Sequence, residues 1–131
     1  MTRRILAAAL AAALAANALA MLLAPVWWYG AVPGVALTGP YNPHFVADIG
    51  AAYLTAAAGL GWFAIEPAAA WPALAIGALF LDAHAAIHLR DAAFSPVCGH
   101  LLLLALPGVF VPALLASALV LTPVRHGAPQ C

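Results

Sequence analysis

Polar residues break this chain into four long apolar blocks. The blocks run Ile5–Pro25, Phe45–Ile65, Ala69–Leu89 and Leu101–Leu121, each about as long as the 20 or so helical residues that cross a hydrocarbon core. Glu66-Pro67 separates the second from the third, because proline ends a helix yet is accepted at the start of the next. Ser95-Pro96 and Gly99 divide the third from the fourth, and Thr122-Pro123 stops the fourth. The pattern predicts an all-α polytopic membrane protein: a four-transmembrane-helix, up-down bundle forming one domain over residues 1–131. The stretch WWYGAVPGVALTGPYNPH, rich in Gly, Pro and aromatic rings, is expected to lie on the bundle rather than span. Trp27, Trp28, Tyr29 and Tyr41 suit the half-wet headgroup layer.

Composition points the same way. Hydrophobic residues make up 67% of the 131 and charged residues 6%, too few to clothe a water-facing surface. Mean hydropathy is +1.06. Abundant alanine lets helices approach closely in lipid. The formal net charge of +0 gives no electrostatic basis for binding nucleic acid. Cys98 and Cys131 have no zinc-type spacing, and the predicted topology puts them on opposite sides of the membrane.

Arg3 and Arg4 precede the first span and Arg125 follows the last, against Arg90 alone on the other side. The positive-inside rule then places both termini in the cytoplasm of an inner (plasma) membrane protein, and the alanine bias suggests a bacterial genome. Residues 1–20 also resemble a secretory signal with Ala18-Leu19-Ala20 as a cleavage motif. Because apolar character continues through Leu23, a retained span is the expectation.

The polar residues that remain are concentrated. Asp82, His84, His88, Arg90 and Asp91 fall within FLDAHAAIHLRDAAF at the end of the third span. His44 and Asp48 open the second, and His100 opens the fourth. Polar groups are expensive in lipid, so each needs a partner or a task. His44 and Asp48 are i and i+4, while His84, His88 and Asp91 are i, i+4 and i+7, so each set shares a helix face at the same outer depth. If the faces oppose, His44, Asp48, His84, His88 and Asp91 converge on one transition-metal site for Zn, Fe or Cu, the ions imidazole and carboxylate accept together. Haem held by histidines of different helices is a variant of that reading. Asp82 points away from the histidines, as a residue supporting a metal ligand from behind or an interhelix partner would. Asn17, within the first span, is expected to hydrogen-bond between helices.

Three functions follow. The first is metal-assisted redox or Lewis-acid chemistry on a lipophilic small molecule. The second is a metal-free isomerase, cyclase or hydrolase in which Asp48 and His84 or His88 act as catalytic acid and base. The third is a non-enzymatic subunit of a homo-oligomer or larger membrane complex. Simpler roles compete: Asp48 meets the positive end of its helix dipole, and Arg90 with Asp91 forms an interfacial pair.

NPHFVADIGAAYL followed by GALFLDAHAAIHLRDA resembles small bacterial four-helix membrane proteins in the neighbourhood of the DoxX-like group. The matching residues are His44, Phe45, Asp48 and Gly50, then His84, His88 and Asp91, within Tyr41 to Asp91. The resemblance implies the four-helix architecture and marks the same residues, without implying an activity.

Overall fold

A computed structural model describes residues 1–94 and 99–122, apart from the side chains of 99–101. Cys98, Cys131, Arg125 and His126, and the side chain of His100, therefore lie outside the described residues.

Four helical stretches are long and apolar enough to cross a membrane: Thr2–Leu23, Pro43–Ile65, Trp71–Phe94 and Leu102–Leu121. The first three are α1, α3 and α4, and the short α2 (Pro25–Ala31) sits between the first two. The fourth combines α5 (Gly99–Ala105), a π-helical turn at Leu106–Phe110 and α6 (Val111–Leu121). No strand occurs among the described residues. The chain is a four-helix, multi-pass membrane protein.

Local chemistry sets the ends. Asn42 caps α3 by accepting the Phe45 N–H at 3.1 Å, and Pro43 occupies the first helical position, where no donor is missed. At the other end Glu66, before Pro67, takes φ −129° and ψ 73°, the non-helical backbone that a following proline favours. α4 runs to Phe94, five residues beyond the predicted Leu89, because Arg90 pairs with Asp91 on an exposed face and Ala92-Ala93 sustain the helix. In the fourth span Pro107 cannot donate its backbone bond, and the chain passes it in the π-helical turn.

Neighbouring helices touch in the order α1, α3, α4, α6 and back to α1, with α1 against α3 the most extensive contact. Leu10, Leu14 and Met21 of α1 meet Leu60 and Phe63 of α3, Leu74 and Leu81 of α4 and Leu119 of α6 in one buried cluster. Glycine makes two of these contacts close. A Cβ on Gly59 would stand 2.8 Å from the Ala73 carbonyl oxygen, and one on Gly50 would stand 2.9 Å from Met21 Cβ. Small residues bring spans into contact where lipid gives no hydrophobic drive for association.

The stretch after α1 folds back on the bundle. The Trp28 indole donates to Asn17 Oδ1 at 2.8 Å, and this anchors α2 to α1 and partners Asn17 as expected. At the amino-terminal end, Arg3 donates to the carbonyls of Leu119 (2.9 Å) and Thr122 (2.7 Å), and its guanidinium lies 5.6 Å from the centre of the Phe63 ring. Arg4 donates to the carbonyls of Ala64 (2.7 Å) and Ile65 (2.8 Å). Two arginines of α1 thus satisfy carbonyls at the carboxyl ends of α3 and α6, where no helical donor remains. Residue 3 and residue 122 consequently share one end of the bundle, as an even number of crossings requires.

Candidate functional site

The opposite end carries the histidines, and its framework is a ladder of rings. Phe80, His84 and His88 follow at four-residue steps, so they climb one face of α4 with a slow drift. The Phe80 and His84 rings stack, centres 6.0 Å apart and planes at 24°. Tyr53 of α3 sets its edge against both, at 5.3 Å from Phe80 and 5.6 Å from His84. His84 and His88 lie 4.9 Å apart at 69°, and Phe110, in the π-helical turn, approaches His88 at 6.5 Å. Tyr53 is 4% exposed, and both histidines are half-buried. Among the described residues no hydrogen bond reaches the Tyr53 hydroxyl or either imidazole.

His44 and Asp48 make a second pair. His44 Nε2 and Asp48 Oδ2 are 3.4 Å apart, and their side chains are 88% and 62% exposed. Tyr53 lies between Phe80 and His84, and Asp48 is five residues nearer the histidine end, about 7.5 Å along α3, which brings it level with His88. Direction is what differs. Five helical residues turn the chain by about 140°, so Tyr53 faces α4 and Asp48 faces outward. Asp91, also exposed, accepts from Arg90 Nη2 at 3.0 Å.

The structure therefore unites His84 with His88 and His44 with Asp48, and it keeps Asp91 with Arg90. Among the described residues it gathers no group of three or more His, Cys, Asp or Glu placed to hold a metal ion. The five residues expected to converge stand as two pairs and an ion pair at one end of the bundle.

Asp82 serves as an interhelix partner, as its direction predicted: Ser117 Oγ of α6 donates to Asp82 Oδ2 at 2.7 Å. Three rings of the ladder, Tyr53, Phe80 and Phe110, do not stand out in the sequence, where each lies within an apolar block. The signal that finds Tyr53 is the glycine and alanine seam: Gly59 abuts Ala73 and Gly77 abuts Ala56, which fixes the α3 face turned to α4.

A shallow apolar groove of about 550 Å³ runs between α3 and α4, lined by Thr55, Gly59, Trp62, Ile76, Gly77 and Phe80 among others. It ends at Phe80, the ring stacked under His84.

Chemically, the ladder offers two imidazoles on successive turns of one helix, a phenol beside them, and an apolar approach from the bilayer. Comparison of the chain with protein-family models, with curated proteins and with solved structures finds no match to any of the three.

Proposed function

We propose that this multi-pass membrane protein holds a transition-metal ion between His84 and His88, and presents it to a lipophilic molecule for redox or Lewis-acid chemistry. The observation that carries this reading is the 4.9 Å separation of the two rings. Two histidines at i and i+4 of a helix are a natural chelate for a borderline-soft cation. Metal–nitrogen bonds of about 2.0–2.1 Å and ligand angles of about 90–109° put the centres of two bound imidazoles about 4.5–5.2 Å apart. The pair has that spacing, and among the described residues no protein hydrogen bond competes for it.

In this reading two coordination positions come from the protein and the rest stay open to water and substrate, as Lewis-acid chemistry needs. The Tyr53 hydroxyl, next to His84, is the nearest phenol to supply a hydrogen bond to a metal-bound oxygen. The groove ending at Phe80 gives an apolar molecule a route along the bilayer. His44, Asp48 and Asp91 lie at the same end, where an entering cation meets an imidazole and two carboxylates first. In this reading both termini are cytoplasmic in an inner membrane, in keeping with the positive-inside rule for Arg3 and Arg4 at the far end, and the histidine end faces outward.

The test is elemental analysis of the full chain purified without chelators. Near-stoichiometric metal is expected in the wild type and its loss in His84→Ala plus His88→Ala. Metal-free wild type that also fails to take up Zn²⁺ or Cu²⁺ on titration would end the proposal. An absorption spectrum of the same sample distinguishes a bare ion from haem.

The Tyr53 hydroxyl beside His84, which has no hydrogen-bond partner among the described residues, supports a second reading, acid/base chemistry without a metal. It requires an activity that chelators leave intact and that follows a bell-shaped pH profile.

A further inference from the structure

Asp82 is the middle residue of α4, twelfth of the 24 between Trp71 and Phe94. Measured along the helix, it is about 16 Å from Trp71, an interfacial ring, and about 12 Å from Arg90, an interfacial charge. The hydrocarbon core is about 30 Å thick, so Asp82 stands close to its midplane. It is exposed at the seam of α4 and α6, between Leu79 (68% exposed) and Leu114 (70% exposed), on a surface that otherwise faces lipid tails. One hydroxyl, that of Ser117, donates to it. A carboxylate offers about four acceptor positions, so this one donor among the described residues leaves most of its hydrogen-bonding capacity unused. Ionisable groups at this depth normally turn into the bundle or pair with an opposite charge.

This chain brings no lysine or arginine to that depth. Its four arginines are Arg3 and Arg4 in the first turn of α1, Arg90 four residues before the end of α4, and Arg125, which follows Leu121 in sequence. A second copy carries the same four, so self-association brings no cation to the midplane. The complement must come from a different molecule. Beside Asp82 the seam also carries small side chains, Ala75 and Ala86 on α4 and Ser117 on α6, next to the exposed Leu79 and Leu114, and at the small residues another helix can approach closely.

We propose that the α4–α6 seam around Asp82 docks a membrane-spanning helix of another protein, one with a lysine or arginine near its own midpoint. The carboxylate fixes the depth of the partner, and the small residues admit its backbone. This surface is separate from the histidine ladder: Asp82 faces α6 through Ser117, whereas His84 faces Tyr53 of α3.

The test uses the full chain in phosphatidylcholine vesicles and three synthetic Leu/Ala transmembrane peptides. One has a lysine at its centre, one a leucine there, and one the lysine two turns nearer an end. Energy transfer between labelled protein and peptide reads association. The centre-lysine peptide is expected to associate at least tenfold more tightly than the other two, and Asp82→Asn is expected to erase the difference. Equal association of the three peptides overturns the proposal, as does a lysine preference that survives Asp82→Asn. Tetraphenylphosphonium bound in an Asp82-dependent way, without discrimination among the peptides, also overturns it in favour of a small lipophilic cation. The lysine-to-leucine exchange is made in the peptide, so that comparison does not depend on how a protein variant folds, and unchanged helical circular dichroism of Asp82→Asn keeps the second comparison valid.

Discussion

Tyr53 fills two roles that substitution can separate. Its ring is packed between Phe80 and His84, while its hydroxyl has no hydrogen-bond partner among the described residues. Tyr53→Phe keeps the ring, so we expect unfolding stability in detergent to change by no more than about 0.5 kcal/mol. If the phenol bonds a metal-bound oxygen, the same variant lowers metal affinity about tenfold, the usual scale for a lost outer-sphere contact. Calorimetric unfolding and metal titration of one preparation check both; a large loss of stability would show that the hydroxyl has a structural partner. The histidines were evident from the sequence because imidazoles stand out in an apolar block. Tyr53 was not, since a tyrosine inside a span resembles any other ring until the facing helix is known. Asp48 shows the converse: its depth follows from residue counting, but its direction depends on which α3 face meets α4, and counting along one helix does not supply that.

Between elements, the closeness of α3 and α4 rests on Gly59. A methyl there would press on the backbone of Ala73, at 2.8 Å from the carbonyl oxygen and 3.1 Å from its carbon, neither of which can swing aside. We expect Gly59→Ala to destabilise the bundle by about 1–3 kcal/mol, the usual cost of overpacking. Gly61→Ala is the control: its Cβ would lie 3.9 Å from the Ala11 Cβ, an ordinary contact, so the variant should be neutral or stabilised by up to about 1 kcal/mol from helix propensity. Thermal melts of the pair decide the matter, and equal behaviour would contradict the seam. Element existence was readable because hydropathy and proline punctuation report directly on spans. The extension of α4 to Phe94 was not, because charge at Arg90-Asp91 suggests an end while a local ion pair allows the helix to continue. The π-helical turn was hidden as well. Pro107 announces a lost hydrogen bond without saying how the backbone absorbs it.

At the scale of the whole molecule, α1 belongs to the core. Ala7, Leu10, Leu14 and Ala18 are buried within it, and Arg3 and Arg4 bind the ends of two other helices. We therefore expect intact-mass measurement of the membrane-extracted protein to retain residues 1–20, and a version lacking them not to accumulate as a folded species. Recovery of a chain beginning at Met21 would refute this. Topology has its own test. In a background with Cys98 and Cys131 replaced, Thr2→Cys and Thr122→Cys should label from one side of sealed vesicles and His44→Cys from the other. Labelling of all three from one side would overturn the four-span crossing. The bundle itself was the most legible level, since a chain this apolar with four blocks of spanning length has few other ways to satisfy its backbone in lipid.

The clasp at the amino-terminal end also imposes an order in time. Arg3 leaves the ribosome 116 residues ahead of Leu119 and 119 ahead of Thr122, whose carbonyls receive it. Until translation has passed that point, the Arg3 guanidinium lacks these two carbonyls, and the carbonyls at the end of α3 that hold Arg4 form an interim mooring. A nascent chain stalled in its fourth segment would thus be threaded but unfastened, with α1 waiting for the end of α6.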